Sequence, residues 1–141
     1  MEAIIRPFAV VDTQAVVGLW TVCGLTRPWN DPNKDIERKL AVQPELFLVM
    51  ELDGAIMGSA MAGYDGHRGS VYYFAIDPAF QGQGHGTRLM KAVETMLIAM
   101  GCPKLSILVR RENTSVREFY AKADYAEDDV ISLGKRLIPD A

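Results

Sequence analysis

Residues 74–90 read FAIDPAFQGQGHGTRLM, placing three glycines within five positions between an apolar, aromatic run and a helix-like pattern. An ordered glycine loses more backbone entropy than any other residue, so a cluster at Gly82, Gly84 and Gly86 needs a reason. Two reasons compete: a tight turn requiring unusual dihedrals, or bare backbone that must approach a ligand closely. A helix starting at the end of this cluster presents unpaired N–H groups and the positive end of its dipole. That combination binds phosphate without a basic side chain.

The two common phosphate fingerprints fit poorly. In Gly82-Gln83-Gly84-His85-Gly86-Thr87 the third glycine comes one place early for GxGxxG, and the Lys-Ser/Thr pair of the Walker loop is missing. Nucleotide binding through this loop is therefore the weaker alternative.

Working outward, Ala3–Arg6 reads as a short strand. Asp12 is placed to cap a helix bearing Val16, Leu19, Trp20 and Cys23 on one face. Asp31 and Pro32 open a second helix through Ile36 and Leu40. Leu46–Leu52 and Ala55–Tyr64 flank Asp53-Gly54, a type I′ hairpin signal, and Val71–Ile76 extends the meander after the turn YDGHRG.

Beyond the glycines, Leu89, Val93, Leu97 and Met100 form a helical stripe ending at Gly101. Leu105–Val109 is an apolar strand, and Asn113 can cap a helix carrying Val116, Phe119, Tyr120 and Ala123. Val130–Leu137 reads as a closing strand. The order β-α-α-β-β-β-α-β-α-β predicts a mixed, mostly antiparallel central sheet flanked by helices, in one domain spanning 1–141.

Composition narrows the function classes. At 49% apolar and 23% charged residues, the chain has globular rather than disordered character. The formal net charge is −3, and basic and acidic residues number 6 and 9 in residues 1–70, then 9 and 9 in residues 71–141. Neither half carries the basic surplus that phosphate-backbone binding requires, so no nucleic-acid partner is expected. No membrane association is expected either, and the start MEAIIRPFAVVD resembles no export signal, so the chain reads as cytoplasmic. Cys23 and Cys102 lie in no CxxC or metal-ligand spacing; they read as structural thiols, and no metal is expected.

The pattern Gln81-x-x-Gly84-x-Gly86 directly after YYFAIDPAF, followed by RRENTSVREFYAKADY, resembles the GNAT superfamily of acyl-CoA-dependent N-acetyltransferases over essentially the whole chain. RPWNDP, AGYDGHRGS and SLGKRL resemble its YpeA-type, RimI-like bacterial branch. The resemblance implies acetyl-CoA as co-substrate. Backbone groups of Phe74, Ala75 and Ile76 would bind its pantetheine, and Gln81, Gly82, Gln83, Gly84, His85, Gly86 and Thr87 its diphosphate. Asn113 falls at a coenzyme-contacting position, and Tyr120 at that of the acid protonating the leaving thiolate. Two departures stand out. Leu108 replaces the Glu base of RimI-type relatives, and Asp124 replaces the usual Gly before the final aromatic.

Direct acetyl transfer to an amine needs a neutral nucleophile, a stabilised oxyanion and a proton for the thiolate; a tyrosine with an ordinary pKa of about 10 suits the last task. Asp65, His67 and Glu112 are either bases or solvated loop residues. Arg27, Trp29, Asn30 and Asp31 lie where this superfamily shapes its acceptor site, or else serve as a staple between helices. The acceptor is expected to be a primary amine of a small molecule or peptide. A catalytically weak acyl-CoA-binding regulatory module is the alternative, favoured by the missing Glu. The terminal strand Val130–Leu137 could pair two subunits into a homodimer.

Overall fold

A computed structural model describes residues 2–140. The chain divides into two units, Met1–Ile107 with Asp140–Ala141, and Leu108–Pro139. The first unit holds the sheet: β1 (Ile4–Pro7), β2 (Phe47–Leu52), β3 (Ala55–Tyr64), β4 (Gly69–Ile76) and β5 (Leu105–Ser106), in spatial order β1-β2-β3-β4-β5. The first three pairings are antiparallel and β4–β5 is parallel, so the expected mixed, mostly antiparallel sheet is present.

Strict alternation along β2 sorts the core into two layers. Leu48 and Met50 join Leu89, Val93 and Leu97 of α3 (His85–Ala99) on one face. Phe47 and Val49 join Val16, Leu19 and Trp20 of α1 (Thr13–Val22) and Ile36 of α2 (Pro32–Leu40) on the other. Each such side chain, once buried, stabilises the fold by about 1.5–3 kcal/mol. Met100, expected on the α3 stripe, is instead exposed where the helix ends.

Local signals are obeyed where local chemistry decides. Asp53 and Gly54 both take positive φ, 51° and 79°, as a type I′ turn requires. Asp31 accepts from the Asn33 N–H across 2.9 Å with Pro32 in the first helical turn. Asp12 departs from expectation. Its carboxylate takes two hydrogen bonds from the Arg6 guanidinium, at 2.8 and 2.9 Å, and one from the Ala9 N–H at 2.8 Å. It therefore does not cap α1, because a bidentate charged partner outcompetes the helix N–H groups.

The expected fifth strand is shorter than read: only Leu105 and Ser106 pair, opposite Gly69 and Ser70.

The second unit contains α4 (Thr114–Lys122). Asn113 precedes it, yet its side chain accepts from the Ser115 hydroxyl rather than from a helix N–H. The helix closes with Tyr125 N–H on Tyr120 C=O and Asp124 N–H on Ala121 C=O. This is a Schellman motif, with Asp124 at φ 70° in the position glycine favours. The rings of Tyr120 and Tyr125 meet edge to face at 5.5 Å, the apolar contact that accompanies such an end. Val130–Leu137 forms no strand. A strand exists only through a paired neighbour, and this segment has none among the described residues, leaving Val130, Ile131, Leu133 and Leu137 exposed.

Candidate active site

The site in the first unit begins with the edge of β4. β5 pairs only with Gly69 and Ser70, so no strand pairs with Val71–Ile76 on that side among the described residues. The Asp77 N–H donates to Met57 C=O, towards β3. Alternation then turns the Ile76 N–H and C=O to the unpaired edge. The Ile76 C=O accepts from Gln81 Nε2 at 2.9 Å and from the Cys23 thiol at 3.4 Å. Gln81 thus ties the start of the glycine loop to the end of the strand.

Between them, Asp77 caps a short turn by accepting from the Ala79 N–H. Gly82 and Gly84 then adopt φ of 77° and 85°, and a Cβ at either would meet open space. Their identity answers a conformational demand on an exposed loop. Gly86 is different: it lies inside the first turn of α3, where glycine costs about 1 kcal/mol relative to alanine. No left-handed turn explains it, which favours close approach of a ligand. Gly84 caps α3 with no side chain to offer, so the first N–H groups of the helix, those of His85, Gly86 and Thr87, receive no side-chain cap.

Midway along β4 lies a feature that spacing does not reveal. Ser59 pairs with Ala75 and Met61 with Tyr72, so Tyr73 and Phe74 together face Ala60 across a β-bulge. Tyr73 occupies its left-handed position at φ 51°, a strain on the order of 1–3 kcal/mol for a residue with a side chain. Three elements hold it. The ring stacks on Trp20 of α1 at 3.8 Å, and the hydroxyl donates to Asp35 of α2 at 2.6 Å. The carbonyl accepts from the Ser59 hydroxyl at 2.8 Å, which itself accepts from Trp20 Nε1 at 2.9 Å. Burial, then Asp35, push the Tyr73 phenol well above its usual range.

The remaining candidates are placed as follows. The Arg27 guanidinium is engaged by the carbonyls of Gly24 and Thr26, at 2.7 and 2.9 Å, which orients it along its own loop. Trp29 is exposed, which removes the core-filling role of the staple reading, and Asn30 bridges to Arg27 in the same loop. The Asp31 N–H donates to Asp140, whose carboxylate also takes Arg38. Asp65 forms an Asx turn, accepting from His67 and Arg68 N–H at 2.8 Å each, and these bonds hold its carboxyl below the usual range. Asp65 and His67 precede β4 and the glycine loop follows it, so they are roughly 20 Å apart by strand rise.

In the second unit, Tyr120 is buried, and burial raises its phenol pKa well above the ordinary value. Phe119 lies edge to face with it at 5.1 Å. Arg117 links Glu127 and the Arg111 carbonyl around the same helix. Leu108, where a base would stand, is exposed.

No helix among the described residues is long and apolar enough to cross a membrane. Residues 14–125 match the acetyltransferase (GNAT) family. An acetyltransferase of Yersinia enterocolitica is 56% identical over 136 residues, 96% of each chain. The fold is similar to the ribosomal-protein-S18-alanine N-acetyltransferase of Escherichia coli, with a TM-score of 0.75 at 19% identity, covering 90% of this chain and 79% of that one. It is also similar to the PaiA N-acetyltransferase of Thermoplasma acidophilum in complex with coenzyme A, with a TM-score of 0.72 at 18% identity, covering 93% and 94%. An unpaired strand edge running into a glycine-lined helix start, and a family match over most of the chain, lead to one assignment: the chain belongs to the acetyltransferase (GNAT) family and is an acyltransferase.

Proposed function

We propose that this chain acts as one N-acetyltransferase domain that transfers acetyl from acetyl-CoA directly to a primary amine of a small molecule or peptide. The observation that carries the reading is the glycine at position 86, in a helix turn where alanine has the higher propensity, next to N–H groups without a side-chain cap. Those amides would hold the diphosphate, and the unpaired edge at Phe74, Ala75 and Ile76 would take the pantetheine amides as an added strand. A similar fold in complex with coenzyme A supports the choice of coenzyme A as the carrier.

In this reading the Ile76 N–H faces the developing oxyanion, a task set by geometry rather than by side-chain type. Tyr120 gives its proton to the departing thiolate; it is protonated throughout the neutral range, and its burial, which raises its pKa above the ordinary value expected, makes it the weaker donor until the thiolate forms beside it. Asn113 is assigned to the coenzyme by the family resemblance. Arg27, Trp29 and Asn30 are proposed to line the acceptor side, Trp29 with its exposed indole. Asp65 and His67 receive no chemical step, because their turn lies at the far end of β4.

The test is acetyl-CoA-dependent thiol release across small amines, amino-acid derivatives and peptides, with Tyr120→Phe as control. Turnover with at least one amine, greatly reduced in the variant, supports the reading. Coenzyme A binding without turnover on any amine overturns it.

A further inference from the structure

The bulge at Tyr73 decides which main-chain amides reach the unpaired edge of β4. Without it the register of Phe74–Ile76 would slip by one, and every group would exchange sides. The N–H groups of Phe74 and Ile76 would turn to β3, and that of Ala75 would face the edge instead. A left-handed tyrosine does not hold such a turn unaided; glycine is the usual occupant. Its side chain is instead drawn to one side of the sheet, where Trp20 stacks on the ring and Asp35 accepts the hydroxyl.

Trp20 and Ser59 lie in the core. Asp35 is not a core residue. Its Oδ1 accepts from Arg38 at 3.2 Å, Arg38 in turn reaches Asp140 at 2.7 Å, and Oδ2 is left for the phenol. We propose that Asp35 is a positioning residue: by accepting the Tyr73 hydroxyl, it fixes the bulge that turns the Phe74 and Ile76 amides towards the thioester. It acts through Tyr73 and touches no reacting atom, and it rests on the acetyl-transfer reading above.

The experiment compares Tyr73→Phe, Asp35→Ala, Asp35→Asn and the double variant Tyr73→Phe/Asp35→Ala, each measured for kcat, coenzyme A affinity and Tm. Tyr73→Phe keeps the ring on Trp20 and removes only the hydroxyl. Displacing the amides by a fraction of the bulge lowers kcat on the order of tenfold in Tyr73→Phe and in Asp35→Ala, with a smaller loss of coenzyme A affinity, because the pantetheine edge shifts while the diphosphate loop is intact. Asp35→Asn, whose amide oxygen still accepts, restores kcat, and the double variant is no worse than either single one. A lowered Tm with unchanged kcat, or additive losses in the double variant, overturns the role. An inactive wild type with every amine overturns the underlying function instead, so the two failures are told apart.

Discussion

Gln81 Nε2 donates to the Ile76 carbonyl across 2.9 Å, joining the first residue of the glycine loop to the last residue of β4. The bond fixes how far the loop stands from the strand edge, so one ligand can meet both. Gln81→Leu removes the donor while keeping most of the bulk. One ordinary hydrogen bond contributes about 0.5–1.5 kcal/mol to stability, so Tm should fall by a few degrees, and calorimetry should show coenzyme A binding weakened up to about tenfold as the loop loses its tie to the strand.

Gly86→Ala separates stability from binding. In the first turn of α3 an alanine, with its higher helix propensity, should stabilise the free protein by up to about 1 kcal/mol, the figure for a helix interior. In the proposed reading the added methyl would stand where the diphosphate approaches, so affinity for coenzyme A should fall. A denaturant melt and a titration on the same preparation check that the two effects have opposite signs.

Tyr120→Phe should lower kcat on the order of a hundredfold and leave coenzyme A affinity intact, as loss of a general acid does. It also changes the alkaline limb of stability. Burial raises the folded pKa of Tyr120, while the unfolded chain ionises near the ordinary value of about 10. The stability this group contributes is therefore complete below about pH 10 and is lost as the pH rises beyond it. Urea melts from about pH 8 to about pH 11 should show a shallower decline in the variant.

The Arg6–Asp12 pair governs the acid limb. Hydrogen bonding from Arg6 lowers the Asp12 pKa, so its stabilisation is present above the ordinary carboxylate range and is lost as the pH falls through the folded value. Asp12→Asn should cost about 2 kcal/mol at neutral pH and flatten the acid decline, measured by urea melts.

Asp124→Gly relieves a left-handed aspartate at φ 70°. The gain is about 0.5 kcal/mol, because glycine also enlarges the entropy of the unfolded chain. A slightly raised denaturant midpoint with unchanged slope checks it.

Much of the scaffold was legible because its rules are local. The Asp53-Gly54 turn and the Asp31-Pro32 helix start each depend on a few neighbouring residues. The glycine loop was legible as a helix start. What escaped depends on distant partners. Asp12 sits where a cap would, but Arg6 takes its carboxylate. Val130–Leu137 has the alternation of a strand and no strand beside it. The bulge at Tyr73 leaves no trace in spacing, because glycine is its usual sign and here Trp20, Ser59 and Asp35 hold a tyrosine in its place. The run YYF, three large residues in succession before a glycine loop, was the one hint that alternation fails there.

The most direct measurement of the main claim is a titration of the 15N-labelled protein with coenzyme A, following backbone amide shifts residue by residue. Binding through the main chain predicts that the largest shifts fall on Gly84, His85, Gly86 and Thr87, followed by Phe74 and Ile76. Saturable binding that leaves those amides unmoved while others shift would contradict the account.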